Sequence, residues 1–289
     1  MGTHKNWTFW RGHIFRQGEN LATLYGSNSL PIPLKKIAEK RKVKNVIFRP
    51  LLVDGCLTVT DEGFNIYVCC KKGESQDVTS KFEAENEVVG LPPRMRFTIA
   101  HEIAHTLFFD LTDGRPRNRL VGDHQNTIRK LETVCSQAAA RMLLPTDLVR
   151  GEIKKLNIYD PAALRQLANK AAVSPHMLVY RIGELYGYLQ GIGGFAYAEH
   201  DGSVYRLKAI AMHSSLLDLF PKATTDSAVA DLISNPNFVL NGGTEYEEAL
   251  TLPCKSRYSK FNQKFRFVCE PQHNGKRARG TFLTFERLD

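Results

Sequence analysis

At 289 residues, with 43% hydrophobic and 24% charged content, the chain can bury one large core or two ordinary ones, and it is too apolar for wholesale disorder. Its longest apolar runs fall far short of the ~20 residues that a membrane-spanning helix needs, so no membrane partner is expected. The net charge of +9 is uneven: residues 1–50 hold ten Lys/Arg against two acids, residues 251–289 nine against three, and the middle twenty against twenty-five. Two basic ends around a mildly acidic centre suit contact with a polyanion.

The opening MGTHKNWTFWRGH has no apolar run ending in a small-residue cleavage site, so a cytoplasmic location is expected. In that compartment Cys56, Cys69, Cys70, Cys135, Cys254 and Cys269 are expected as free thiols. No CxxC pair occurs, so a thiolate zinc knuckle is not indicated.

In chain order, Pro31-Ile32-Pro33 punctuates the first segment, and a short helix is expected through KKIAEKRKV. Three β-rich segments follow, VIFRPLL, GCLTVT and FNIYVCC, joined by the turn signals Asp54-Gly55 and Glu62-Gly63. The polar stretch from Lys71 to about Pro93 reads as an ordered loop or flap. A helix begins near Arg94 and runs through HEIAHTLFF; a Gly/Pro/Arg/Asp-rich loop, Asp110–Asp123, ends it. The next helix spans Thr127 to Leu144 and stops at Pro145, with Ile128, Leu131, Cys135, Ala138, Ala139 and Met142 as one buried stripe. Two helices from Asp160 meet at Ala172-Val173-Ser174, and from about Gly191 the chain turns to short β-like runs. Fold class is therefore α+β.

His101 and His105 stand four apart on a helix and project from one face, close enough for both imidazoles to bind one Zn²⁺ at about 2.1 Å. Glu102 lies beside the metal, where a carboxylate can take a proton from zinc-bound water and pass it to a leaving amine. The flanking Phe97, Ile99, Ala100, Ile103, Ala104, Leu107 and Phe108 make the helix apolar nearly all round, so the histidines are expected to be buried and in need of a partner. A catalytic site needs a third protein ligand and an open fourth position. Asp110, Asp113, Asp123, His124 and Glu132 are the downstream candidates; Glu132 alone sits on an expected helix, and spacing does not decide among them.

RFTIAHEIAHTLFF followed by LETVCSQAAARMLLP resembles the two motifs of the ImmA/IrrE family of bacterial metallopeptidases, and the likeness covers roughly residues 30–190. The resemblance implies a zinc endopeptidase with Glu132 as the third ligand, because the family's second motif opens on that glutamate. Cys135 and Ser136 stand where Ala-Asn is common, and Ala138 replaces Phe; these departures are expected to touch helix packing only. The implied organisation is a zincin-type metallopeptidase domain over 1–150, a helix-turn-helix-like segment over 151–190 and a GAF-like α+β sensory domain over 191–289.

Within the second segment, Leu164, Leu167, Ala168, Leu178 and Ile182 have helix-turn-helix spacing, but His176, Tyr180 and Arg181 make a thin set for reading a major groove. An ordinary helical hairpin is the favoured reading. In the third segment Lys260, Lys264 and Arg266 interleave with aromatics, a pattern that can grip single-stranded DNA through phosphates and stacking.

Family resemblance implies a regulatory protease that cuts a helix-turn-helix repressor in a stress, DNA-damage or anti-phage response, switched on by single-stranded DNA. The competing readings are a DNA-binding transcription regulator with structural zinc and a protease without a sensor role. Cys69 and Cys70, closing FNIYVCC, carry one further expectation: a thiolate that borders the cleft and occupies the open zinc position as an inhibitor.

Overall fold

The structure, a computed structural model, describes residues 4–83, 90–118, 124–185, 193–200, 205–212, 246–252, 261–269 and 280–288. It mixes helix and sheet, as expected of an α+β chain. Two compact units separate, Met1–Val149 with Lys170–Val173 and Arg150–Asn169 with Ser174–Asp289.

The first unit is built on a three-stranded sheet of β1 (Val43–Arg49), β2 (Gly55–Thr60) and β3 (Gly63–Cys69). Its order is β1-β3-β2, with β1 parallel and β2 antiparallel to the central strand. Phe64, Ile66 and Val68 alternate along β3 into the core, and each is at most 1% exposed. β1 begins earlier than VIFRPLL suggests and ends at Arg49, before Pro50.

Helix α4 (Pro93–Thr106) packs on β3 and β2. Pro93 opens it, where a missing N–H costs no hydrogen bond. Its end is capped from outside: the Arg41 guanidinium donates to Thr106 Oγ1 at 3.0 Å and to the carbonyls of Thr106 at 2.5 Å and Phe109 at 3.4 Å. A cation at those orphan carbonyls also complements the helix dipole. The expected continuation through Phe109 does not form, since Phe109–Asp110 (β4) pairs instead with Arg117–Asn118 (β5).

Helix α5 (His124–Leu143) stops before Pro145 and buries Val134, Cys135, Ala138, Ala139 and Met142. The Ile128 side chain lies outside the described residues. Against α5 lies α1 (His4–Tyr25), a helix with no continuous apolar stripe to announce it in the sequence. Its buried stripe is Ile14, Phe15, Gly18 and Ala22, a pattern weakened by two small residues. A Cβ on Gly18 would sit 3.1 Å from the Ala138 carbonyl oxygen, so glycine sets how closely the helices approach.

The stretch expected to be loop contains α3 (Ser75–Glu83), with Val78 and Phe82 buried four apart and the Phe82 ring edge-on to Phe48 at 6.1 Å. An Asp77–Lys81 ion pair at 2.7 Å runs along its polar face, so two apolar anchors suffice to hold it. Residues 84–89 of that stretch lie outside the described residues. α2 (Lys35–Lys40) matches the short helix expected after Pro33, and α6 (Thr146–Ile153) was not foreseen.

In the second unit, β6 (Gly193–His200), β7 (Tyr205–Met212), β8 (Tyr246–Leu252), β9 (Phe261–Cys269) and β10 (Gly280–Leu288) form an antiparallel sheet of order β7-β6-β10-β9-β8. α7 (Pro161–Ala171) precedes α8 (Pro175–Leu185), with Ala172 between them at φ +51°. α8 packs on β6 and β7 and buries Met177, Leu178, Val179, Arg181, Ile182 and Leu185. Arg181 donates to Glu184 at 2.9 Å inside that packing. Of the three side chains considered for groove reading, only His176 and Tyr180 face outward, with rings 4.9 Å apart. Among the described residues no helix is long and apolar enough to cross a membrane.

Candidate metal centre

Three side chains from two helices converge. His101 and His105 lie on successive turns of α4, and Glu132 reaches them from α5. Glu132 stands 3.0 Å from His101 Nε2 and 3.4 Å from His105 Nε2, and the two imidazole nitrogens are 3.1 Å apart. A tetrahedral zinc with bonds near 2.0–2.1 Å spaces its donors by about 3.4 Å, and the two imidazole nitrogens with the two Glu132 oxygens, Oε2 toward His101 and Oε1 toward His105, lie at spacings close to that. Burial supports the same fit: it lowers the pKa of both imidazoles, that of His105 to about 4 with the neighbouring His101 adding to the shift, and Glu132 opposes it in each. Both rings are thereby held neutral at pH 7, the form that ligates a cation.

His101 has a second contact, its Nδ1 to Ser136 Oγ at 3.3 Å. With Nδ1 carrying the proton toward Ser136, Nε2 is left as a lone pair pointing at the metal position. Ser136, read from sequence as a packing residue, thus touches the site, one turn of α5 beyond Glu132.

Glu102 is 6% exposed, and its pKa is raised to about 7 by desolvation and then by the charge of Glu132. It stays outside the trio of converging donors and lines the same cleft of about 420 Å³ with His105 and Glu132. A carboxylate poised near neutral pH can both accept and return a proton.

The rest of the cleft wall is mostly apolar, from Leu57 and Val59 of β2, Phe108, Phe109 and Leu131, with the Cys56 thiol of β2 and Asn118 as polar groups. β2 is one of the two edge strands of its sheet, and its Gly55, Cys56, Leu57 and Val59 border the cleft. β3, which ends at Cys69, is the central strand. Cys69 and Cys70 line a separate cavity with Asp54, Lys71, Glu74, Pro92, Arg94, Met95 and Thr98. There Cys69 Sγ donates to the Leu51 carbonyl at 3.3 Å and Cys70 is buried, so neither thiol is among the residues lining the metal cleft.

Among the other ligand candidates, Asp110 accepts from Thr112 and Asp113 pairs with Arg117 at 2.9 Å. Asp123 and the side chain of His124 lie outside the described residues. So do Lys260 and the side chains of Lys264 and Arg266; in the β9 backbone register Arg266 falls between Glu247 and Glu286.

The buried cation Arg96 explains the residue that opens the RFT triplet. It is 2% exposed and donates to the carbonyls of Ile32 at 2.8 Å and Ala172 at 3.2 Å. Burial lowers its pKa to about 10, so it remains charged while bracing α4.

Comparison with known proteins finds metalloprotease relatives. Residues 62–183 match the model of the IrrE N-terminal-like domain, Peptidase_M78. The chain is similar to the radiation response metalloprotease IrrE of Deinococcus deserti, 33% identical over 97 residues, which are 32% of this chain and 33% of that protein. It is likewise similar to the radiation response metalloprotease IrrE of Deinococcus radiodurans, 29% identical over 110 residues, 36% of this chain and 33% of that protein. The matched segments thus span about a third of the length of these curated relatives. A solved structure described as a Mycobacterium tuberculosis transcriptional regulator aligns with a TM-score of 0.50 at 10% identity, over 96% of this chain and 76% of that one, a likeness of fold alone.

Proposed function

From the match of residues 62–183 to the IrrE N-terminal-like domain, we propose that this chain is a zinc-dependent endopeptidase of the ImmA/IrrE family, with a helix-turn-helix repressor as substrate and a role in a stress or defence response. The observation that carries the reading is the convergence of His101, His105 and Glu132, with Glu102 buried beside them and outside the donor set. When bound, zinc supplies a Lewis acid and lowers the pKa of its water toward about 7. The two imidazoles and the Glu132 carboxylate hold the ion; Ser136 orients His101. Glu102 takes the proton from the attacking water and delivers it to the nitrogen of the departing amine. The apolar wall of Leu57, Val59, Phe109 and Leu131 seats a polypeptide next to the metal.

A structural zinc in a DNA-binding regulator is the competing assignment. Structural sites fill four positions with protein donors, whereas three converge among the described residues. Burial of Arg181 also leaves only His176 and Tyr180 outward among the side chains considered for groove reading, a thin set for a recognition helix. The regulatory role draws support from the two relatives, which are radiation response metalloproteases. We further propose a GAF-like sensory domain over 191–289, a reading supported by the antiparallel sheet of the second unit, with single-stranded DNA as the activating ligand.

The experiment is cleavage of labelled casein, and of the repressor encoded beside the gene, by zinc-loaded protein with and without single-stranded DNA. Glu102→Gln should retain about one zinc per chain and lose roughly 100- to 10,000-fold in rate. Undiminished cleavage by that variant would overturn the assignment.

A further inference from the structure

Gly55 opens β2 where that strand meets α4. A Cβ built on it would press into Thr98 Cγ2, and would lie 3.1 Å from Glu102 Oε1 and 3.1 Å from the Tyr67 carbonyl oxygen. The backbone itself has no need of glycine here. The residue is in register with Val68, and it is not among the positive-φ positions. The missing side chain therefore serves close approach, which is the other reason for glycine in a strand.

The neighbours it approaches differ in kind. Thr98 is a packing neighbour whose hydroxyl is already bonded to the Arg94 carbonyl at 3.0 Å. Glu102 is the carboxylate beside the metal centre, and Gly55 lines the same cleft as Glu102, His105 and Glu132. A methyl group on residue 55 would crowd one oxygen of that carboxylate, and no metal-donor side chain is among its three nearest neighbours.

We propose that Gly55 is a positioning residue: its lack of a side chain sets the seat of the Glu102 carboxylate relative to the metal and to a peptide lying along β2. This rests on the peptidase reading for its catalytic consequence, although the seat itself is a matter of geometry. A Cβ at 3.1 Å obliges the carboxylate oxygen to yield by a few tenths of an ångström, a fraction of the roughly 1 Å misplacement of a catalytic group that costs on the order of 100-fold in rate.

The test uses Gly55→Ala, Thr98→Ser and the double variant in the full zinc-loaded chain. Thr98→Ser deletes Cγ2 and keeps the hydroxyl, so it should change denaturation midpoint, zinc affinity and casein cleavage by less than about two-fold. Gly55→Ala alone meets both Thr98 and Glu102 and can lose fold together with position. The double variant removes the collision with Thr98 and retains the pressure on Glu102. It should recover wild-type stability and zinc affinity, yet cleave casein about ten-fold more slowly, with the loss in kcat. Its affinity for a hydroxamate-capped dipeptide, which bonds to the zinc and to the neighbouring carboxylate together, should fall at least about ten-fold.

A double variant with wild-type hydroxamate affinity overturns the positioning role, whatever the cleavage data say. One that fails to recover fold or zinc makes Gly55 a packing glycine and overturns it equally. If wild-type protein binds zinc and hydroxamate but cleaves nothing, the peptidase reading fails while the hydroxamate comparison still decides the role of Gly55.

Discussion

Ser136 and Glu102 govern the metal centre without belonging to its donor set. Ser136→Ala removes the partner of His101 Nδ1, and zinc affinity measured by chelator competition should fall about 10- to 100-fold. Ser136→Thr, which keeps the hydroxyl, should restore most of it; unchanged affinity in the alanine variant would remove Ser136 from the site. For Glu102, a folded pKa near 7 against 4.5 unfolded means that the metal-free native state holds the extra proton between those values. Wild-type stability is therefore greatest below about pH 4.5 as far as this group is concerned, and is lost as pH rises through 7. Glu102→Gln has no such loss, so its stability relative to wild type should grow by on the order of 2–3 kcal/mol between pH 4.5 and pH 7.5, read by urea denaturation of apo protein. His101, Glu102 and His105 were legible in the sequence because one helix fixes their geometry by spacing alone. Glu132 comes from a second helix, whose placement spacing does not give, and family resemblance singled it out. Gly55 was read as a turn residue; a glycine serving close approach has no local signature.

Among the elements, those with continuous apolar stripes were legible, and those held by small residues or a few anchors were not. α4 and α5 announce themselves through Ile99, Ile103, Ala138 and Met142, whereas α1 depends on Gly18 against Ala138 and α3 on Val78 and Phe82. Gly18→Leu should thus force α1 from α5 and cost about 1–3 kcal/mol by chemical denaturation, although its helix propensity improves. Arg96→Leu leaves the Ile32 and Ala172 carbonyls without their donor and should cost about 2–4 kcal/mol. Stability equal to wild type in either variant would remove that contact from the list of what holds α4 and α5 in place.

For the molecule as a whole, the +9 charge sits at the two ends of the sequence, away from the metal motif. Composition revealed that asymmetry but not how its cations are presented, since the register sets Arg266 between two glutamate positions. If the basic carboxy-terminal region engages single-stranded DNA, reversing Lys260, Lys264 and Arg266 together should flatten the dependence of log affinity on log salt by about 2. An unchanged slope would leave those cations as solvated surface. Fold class was readable because strands and helices segregate along the chain, whereas the three-stranded order that leaves β2 at an edge depends on a parallel β1–β3 pairing that no local pattern encodes. That order is what brings an edge strand, two helices and the metal donors to one cleft. The most direct measurement is an anomalous difference map from a crystal of zinc-loaded protein, collected across the zinc absorption edge. One peak should lie about 2.0–2.2 Å from His101 Nε2, His105 Nε2 and a Glu132 oxygen, with Glu102 in the outer sphere; a peak ligated by Glu102, or by a fourth protein side chain, would contradict a catalytic zinc with a free base beside it.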